Sequence, residues 1–342
     1  MRQVELCAPG EIRIREVPLP TPQPDELLIK VAQVGICGSD LHAFHGRHPF
    51  IELPVIPGHE FAGTVADVGA SAGEFTVGQR ITVEPSLVCG ECYNCAHGRY
   101  NICEKLQVIG CQTVGAMAEY LTVPASKTLM LPGEINWDQA VMAEPLAVAV
   151  HAVRVAGIAS GTRVLVLGAG TIGLMVMQAA KALGAGSVVM TDLRDQRLAL
   201  AAELGADHVV NPTSTALEDA LESAYGQDRA DVIIECVGVA ATARDAVRVA
   251  RKGTRIVLAG VFEEEVPINL GLVQDHELEI VGTLMYVGDD FATALALLGR
   301  GDVTVSSMIS HRFPLSEAAQ AFAVADSRQE ALKVVIQVAD GS

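Results

Sequence analysis

The sequence predicts an α/β protein with two domains: an antiparallel, partly barrelled β-domain followed by a doubly wound parallel sheet. Three observations support this: 342 residues are long for one hydrophobic core, 32 glycines suit many tight turns, and the pattern changes near residue 147. Residues 1–147 hold short β-rich runs separated by proline and glycine, whereas residues 148–285 alternate strand-like and helix-like runs. Residues 286–342 end in a strand-like run, and we expect this segment to return to the first domain.

The strands of the first domain are predicted by β-rich runs bounded by turn residues. They are "ELLIKVAQVGIC", "FAGTVADVG", "QRITVEP" and "AEYLTVP".

In the second domain, apolar runs typical of buried parallel strands alternate with runs of helical periodicity. The strands are "RVLVLGAG", "SVVMTD", "HVVNP", "DVIIECVG" and "RIVLAG", and the helices are "TIGLMVMQAAKALGA", "RDQRLALAAELGA", "ALEDALESAYG" and "TARDAVRVARKG". After "LEIVGTLM" we expect a helix in "DDFATALALLGRG".

Charge and composition exclude several classes of partner. The net charge of -17 would repel nucleic acid and anionic membranes. Residues 1–15 are too charged for a signal peptide, and the longest uncharged run, Val164 to Ala180, is shorter than the ~20 residues of a bilayer span. We therefore expect a cytoplasmic protein, in which clustered cysteines are more often metal ligands than disulfides.

The run "GAGTIG" follows a predicted strand and opens a predicted helix, the setting of a dinucleotide-binding turn. Gly168 would make the turn, Gly170 would let the backbone approach the pyrophosphate, and Gly173 would let helix and strand pack closely. Asp192, at the end of the next strand, would bind the adenosine ribose and repel a 2′-phosphate, which predicts NAD over NADP. The alternative for the glycines is a tight turn without a ligand.

Further positions are expected to line the cofactor: Thr171, Ile172, Arg197, Val237, Ala259, Gly260 and Val261. Arg194 and Arg197 could tolerate a 2′-phosphate, although ordinary solvated charges are the interpretation we favour.

Four cysteines with the spacing C-x2-C-x2-C-x7-C, Cys89, Cys92, Cys95 and Cys103, lie within a segment of about 86–106. Four thiolates from one loop suit a closed, structural zinc. An iron–sulfur cluster has similar ligands, but nothing else in the sequence suggests electron transfer. A closed zinc site leaves no position for a substrate.

A second set of potential ligands is scattered in "GICGSDLH", "GHEFAG" and "AEPLAVAVHA". Cys37, His59, Glu60 and Glu144 together are a reasonable catalytic zinc site, with one position left for substrate. Taken singly, each residue has an ordinary alternative: Cys37 as a buried filler, Glu60 as a cap or ion-pair partner, and Glu144 as the first turn of a helix starting at Pro145.

These motifs, in this order along essentially the whole chain, resemble the zinc-dependent medium-chain dehydrogenase/reductase family, most closely its sorbitol/polyol dehydrogenase branch, with butanediol and threonine dehydrogenases nearby. The resemblance implies a GroES-like catalytic domain, a Rossmann cofactor domain, and two zinc ions per chain, one catalytic and one structural. It implies that Cys37 and His59 bind the catalytic zinc. Glu60 or Glu144 is then the third ligand, and the sequence leaves both open.

The resemblance also implies a proton path and a reaction. Asp40 would orient His59, and Ser39 would pass the substrate proton through the cofactor ribose to His42. Zinc would lower the pKa of a substrate hydroxyl, and hydride would pass to the nicotinamide. Family members are typically homodimers or homotetramers, so we expect one of these.

The substrate predicted by the resemblance is a secondary alcohol of a polyol, sugar acid or diol, oxidised reversibly to a ketone. Two departures weaken a sorbitol assignment, because Ala43 and Met285 stand where that branch carries a tyrosine and an arginine. Oxidation of a threonine-type amino alcohol is an alternative. A catalytically idle sensor or structural protein that binds NAD and zinc is an alternative of another class.

Overall fold

The chain divides at two points, after Glu144 and after Thr304, in a computed structural model that describes residues 1–327 and 331–338. One unit contains Met1–Glu144 and the described chain from Val305 onward, and the other is Pro145–Thr304.

Residues 286–304, predicted to belong to the C-terminal segment, fall in the second unit. The reason is the helix Gly288–Arg300: its buried Asp290 contacts His151 and Arg154, which belong to that unit. Residues 328–330 and 339–342 of the predicted segment lie outside the described residues.

The first unit is organised around a long strand, β3 (Glu26–Ile36), whose side chains are buried on both faces along most of its length. Its first half pairs with β8 (Tyr120–Pro124), and its second half pairs antiparallel with β17 (Lys333–Gln337). Along its length it pairs antiparallel with β4 (Glu60–Val68). Strands on both sides and buried faces explain the nearly continuous apolar sequence of β3. The sheet has the order β16-β17-β3-β4-β5-β9, with β8 on β3.

The second unit contains a parallel sheet of six strands in the order β12-β11-β10-β13-β14-β15. Numbered within the unit, this is 3-2-1-4-5-6, the order of the doubly wound Rossmann sheet. Its first strand, β10 (Arg163–Leu167), lies in the middle and runs into helix α5 (Thr171–Ala182) through the glycine-rich turn. The predicted fold class is confirmed.

The remaining strands have the following bounds: β1 Arg2–Ala8, β2 Glu11–Glu16, β5 Arg80–Val83, β6 Ser86–Leu87, β7 Gln107–Val108, β9 Thr128–Met130, β11 Ser187–Thr191, β12 His208–Val210, β13 Val232–Glu235, β14 Arg255–Leu258, β15 Glu279–Gly282 and β16 Ile309–Pro314. The remaining helices are α1 Gly38–Phe44, α2 Tyr93–Ala96, α3 Trp137–Val141, α4 Ala143–Ala156, α6 Asp195–Glu203, α7 Leu217–Tyr225, α8 Ala240–Val249, α9 Leu270–Asp275, α10 Gly288–Arg300 and α11 Ala318–Ser327. Within the described ranges, no helix has the length and apolar character needed to cross a membrane.

Candidate functional site

The four clustered cysteines lie in a lobe between β6 and β7 and face one another. The Sγ atoms of Cys103 and Cys89 are 3.5 Å apart, those of Cys92 and Cys103 3.9 Å, and those of Cys89 and Cys95 4.0 Å. A disulfide would need about 2.05 Å. A tetrahedron of thiolates with Zn–S bonds of about 2.3 Å has edges of about 3.8 Å, so the four sulfurs fit one zinc ion.

Backbone N–H groups support the sulfurs of this lobe. Cys92 N donates to Cys89 Sγ at 3.4 Å, and Lys105 N donates to Cys103 Sγ at 3.3 Å. Such N–H···S contacts favour thiolates, the form that binds metal.

A second group of donors forms where β3 ends and β4 begins. Cys37 precedes helix α1, while His59 and Glu60 lie at the start of β4, and their ligand atoms all lie within 4.8 Å of one another. His59 and Glu60 are buried and Cys37 is partly buried. Thiolate, imidazole and carboxylate are ligands that zinc takes in catalytic sites, so these three residues fit the metal.

Acidic neighbours surround the His59 ring. Asp40 Oδ1 is 3.8 Å from His59 Nδ1, and its other oxygen accepts a hydrogen bond of 2.8 Å from Cys37 N. Burial favours the neutral ring of His59, but Asp40 and Cys37 outweigh it and raise its pKa well above the usual value. Burial also raises the pKa of Asp40. The acidic groups of Asp40 and Cys37 therefore favour the positively charged form of the His59 ring.

Glu144 is placed differently from the other three potential ligands. It is buried in the first turn of α4, which begins at Ala143 rather than at Pro145 as predicted. Its charge raises the pKa of Lys333, but its carboxylate is not part of the group of three within 4.8 Å. Glu60 is thus the carboxylate that the described structure brings into the tight cluster.

Helix α1 carries the predicted proton path. Ser39 and His42, both partly buried, are three residues apart and therefore on the same face of the helix. The neighbouring Ala43 is buried, and the ring of Phe44 packs at a tilt against that of Phe322, with 5.6 Å between the ring centroids, so Phe44 packs into the first unit.

The glycine-rich turn of the second unit has the tight geometry that its sequence predicts. Gly168 has φ +100°, and a Cβ at Gly173 would overlap the Gly168 carbonyl oxygen. Asp192 Oδ2 accepts a hydrogen bond of 2.9 Å from Ala169 N, and Arg197 Nη1 lies 3.9 Å from the same oxygen. At Gly170, the residue before α5, the nearest heavy atom to an added Cβ would be Arg197 Nη1 at 4.0 Å, and Thr171 and Ile172 start the helix.

The other predicted cofactor positions form two loops after β13 and β14. Glu235, fully buried, accepts hydrogen bonds of 2.9 Å from the N–H groups of Val237 and Gly238, and one from the Thr242 hydroxyl. In the second loop, Ala259 N and Gly260 N both donate to the Glu235 carbonyl oxygen, at 2.8 and 2.9 Å. Glu235 thus binds the loop after β13 through its carboxylate and the loop after β14 through its backbone carbonyl oxygen.

Val237 and Val261 remain exposed, at 43% and 70%. All cofactor positions predicted from the sequence lie in the second unit, and all metal positions lie in the first.

Two buried charged residues that lie at the candidate sites were not singled out from the sequence. Glu235 ends an apolar strand, and Lys333 interrupts the apolar run "ALKVVIQV". A charged residue in a buried strand was the signal that could have found both, because such residues are buried only when paired.

A chain that combines this antiparallel β-domain with a Rossmann sheet and a four-cysteine lobe has the architecture of zinc-dependent dehydrogenases. Two family models match it: the alcohol dehydrogenase GroES-like domain over residues 23–133, and the zinc-binding dehydrogenase domain over residues 171–300. The chain therefore belongs to the zinc-type alcohol dehydrogenase family.

Particular relatives are dehydrogenases of polyols and sugar acids. Sorbitol dehydrogenase of Bacillus subtilis is 35% identical over 95% of this chain and 94% of its own. The 2-dehydro-3-deoxy-L-galactonate 5-dehydrogenase of Pseudoalteromonas atlantica is 35% identical, covering 92% of each chain. A solved structure from Sinorhizobium meliloti with bound NADP is 34% identical, with a TM-score of 0.92 over 98% of this chain and 99% of that one.

Proposed function

We propose that this enzyme oxidises a secondary alcohol of a polyol, sugar acid or diol to a ketone, with NAD as the hydride acceptor. The observation that carries the proposal is the cluster of Cys37, His59 and Glu60 directly beside helix α1, which holds Ser39 and His42. Relatives that act on polyols and on sugar acids match the chain over nearly its full length, which supports this range of substrates.

The proposed roles follow from the chemistry of each side chain. Cys37, His59 and Glu60 would hold a zinc ion, which when bound makes a substrate hydroxyl more acidic. Asp40 accepts from Cys37 N and faces His59, so it would hold both ligands in place. Glu144, buried and acidic, would contact the metal or the substrate at another stage.

The reaction balances as the loss of two hydrogens from the alcohol. The O–H bond breaks and its proton passes to Ser39, then to His42 and water. The C–H bond on the same carbon breaks, and hydrogen with both electrons passes to the nicotinamide. The carbon–oxygen bond becomes a carbonyl.

The cofactor preference rests on Asp192. Its carboxylate lies against the glycine-rich turn, where it would repel a 2′-phosphate. Arg197, 3.9 Å away, and the relative that binds NADP both argue for some tolerance of NADP. We infer a preference for NAD, and equal turnover with NADP would refute it.

The direct test is turnover of a panel of polyols, sugar acids and diols with NAD, followed by absorbance of the reduced nicotinamide. We expect product from at least one class. A threonine-type amino alcohol belongs in the panel, since its oxidation alone would favour that alternative. Absence of turnover with zinc bound would favour an idle sensor or structural protein.

We also infer a homodimer or homotetramer. Strand β15 is one of the two outer strands of its sheet, and Leu270 and Leu284 nearby in sequence are 73% and 51% exposed. A second copy would cover such an edge. Light scattering of the purified protein tests this, and a monomer at micromolar concentration would refute it.

A further inference from the structure

A buried lysine lies beside the candidate metal cluster. Lys333 is 3% exposed, and it is the one lysine or arginine among the buried polar residues of the described chain. Its Nζ donates to the Glu60 carboxylate and, at 3.3 Å, to the Ile36 carbonyl oxygen. Lysine is buried in this way only when its charge is paired.

The sheet register brings Lys333 to Glu60. Strand β17 pairs with β3 at Val334 and Ile36, and β3 pairs with β4 at Gly35 and Glu60. A side chain at Gly35 would overlap the Glu60 carboxylate and would bring its Cβ to 3.0 Å from Lys333 Cε. The ion pair thus occupies the space that a glycine leaves on the central strand.

The charges around Lys333 are those of the metal cluster. Burial lowers the pKa of Lys333, but Glu60, Cys37 and Glu144 outweigh it and raise the value overall. Asp40 is also within electrostatic reach, and His59 is the other titratable group of the cluster. One ammonium therefore faces four acidic groups, of which two are proposed zinc ligands.

We propose that Lys333 is a positioning residue that competes with zinc for the Glu60 carboxylate and thereby limits how strongly Glu60 binds the metal. This inference rests on the proposed function, because it needs zinc at Cys37, His59 and Glu60. The physical reason is that one carboxylate cannot give its full charge to an ammonium and to a metal ion together. An ammonium near the site also repels a dication.

The test is Lys333→Met, which keeps the length of the side chain and removes its charge. Zinc affinity is measured by chelator competition. The zinc ion of interest is the one whose binding step is lost in Cys37→Ser. We expect K333M to bind this zinc at least about tenfold more tightly. We also expect the rising limb of the pH profile of kcat to move upward by about one pH unit, because a fully bound carboxylate makes the substrate hydroxyl less acidic. Lys333→Arg keeps the charge and should stay close to wild type in both measurements.

A matched control is Lys127→Met. Lys127 forms a 3.1 Å ion pair with Glu84 in the same unit, with the two side chains 17% and 8% exposed. K127M should lower the thermal midpoint but leave this zinc step and the pH profile unchanged. If the role of Lys333 were only structural, K333M would likewise lower the thermal midpoint and leave the zinc step and the pH profile unchanged.

The outcomes separate the inference from the proposed function. If wild type shows the zinc step and K333M binds within twofold of it, the inference is overturned while the function stands. If wild type lacks the step, the proposed metal site itself is wrong. If K333M does not fold, Lys333→Gln gives the same comparison, because its side chain is uncharged but still donates a hydrogen bond. In the double variant, Glu60→Gln should cancel the effect of K333M.

Discussion

At the scale of single residues, the proposed chemistry depends on side chains that contacts with neighbouring residues hold in position. Cys37 lies before α1 and donates its N–H to Asp40, which also faces His59. Asp40 thus contacts both Cys37, in its own segment, and His59, which lies just before β4. The same segment places Ser39 on the helix that begins there.

Replacement of Ser39 by alanine tests the proton path. We expect kcat to fall by about 10²–10⁴, the range for loss of a general acid–base group, with the dissociation constant of NAD unchanged. Steady-state kinetics and a fluorescence titration of NAD measure the two. Ser71→Ala, in a loop of the same unit, is the control. Turnover of S39A at the wild-type rate would remove Ser39 from the mechanism.

Replacement of Glu235 by alanine tests the support of the cofactor loops. Its fully buried carboxylate satisfies two backbone N–H groups and the Thr242 hydroxyl. Unpaired buried donors cost about 1–3 kcal/mol each, so we expect E235A to lose about 2 kcal/mol or more of unfolding free energy and to bind NAD more weakly. Urea unfolding and NAD titration measure this. Wild-type values in both would show that the loops hold without it.

At the scale of elements, the four-cysteine lobe between β6 and β7 is a candidate site for structural zinc. Its sulfur–sulfur distances fit a single zinc ion bound by four thiolates. Structural zinc contributes directly to folding free energy. We therefore propose that the lobe contributes stability rather than chemistry.

Replacement of the buried Cys103 by serine tests this division. We expect loss of one zinc per chain and a lower thermal midpoint, with most of the activity kept well below that midpoint. Metal analysis, thermal unfolding and kinetics measure the three effects. Loss of turnover in proportion to zinc, with an unchanged thermal midpoint, would argue for a catalytic role instead.

Asp231, the residue before strand β13, makes a stabilising contact whose strength depends on pH. Burial alone would raise its pKa, but hydrogen bonds from Arg163 and Arg251 lower the pKa of Asp231 to about 2. The pKa is lower in the folded state than the value of about 3.9 expected when unfolded. The stabilisation is therefore present above about pH 4 and is lost as pH falls towards 2.

Asp231→Asn should lack this stabilisation. We expect the difference in unfolding free energy between wild type and D231N to shrink as pH falls from 5 to 2. Denaturant unfolding at several pH values measures it. A difference that stays constant across this range would mean that the arginines do not shift the pKa of Asp231.

At the scale of the whole molecule, the sequence predicted what depends on local pattern. The alternation of "RVLVLGAG" with helical runs predicted the parallel sheet, and the spacing of the four cysteines predicted their cluster. Cys37 and His59 are far apart in sequence, so their residue types only suggested a shared site, and the family resemblance strengthened that prediction.

Other features depend on strand pairing and packing that no local pattern reveals. Lys333 reaches Glu60 only because β17 pairs with β3 beside it. Helix α10 falls in the second unit, where its buried Asp290 contacts α4 through side chains. Local periodicity predicts that such a helix exists but says nothing about which unit it joins.

We propose that the chemistry takes place at Cys37, His59 and Glu60 and that the four-cysteine lobe takes no part in it. The most direct measurement is zinc content and turnover of Cys37→Ser, purified beside wild type and assayed with a substrate found in the panel. We predict one zinc per chain instead of two, turnover reduced at least about a thousandfold, and an intact fold by circular dichroism. A C37S enzyme that keeps both zinc ions and wild-type turnover would contradict the account.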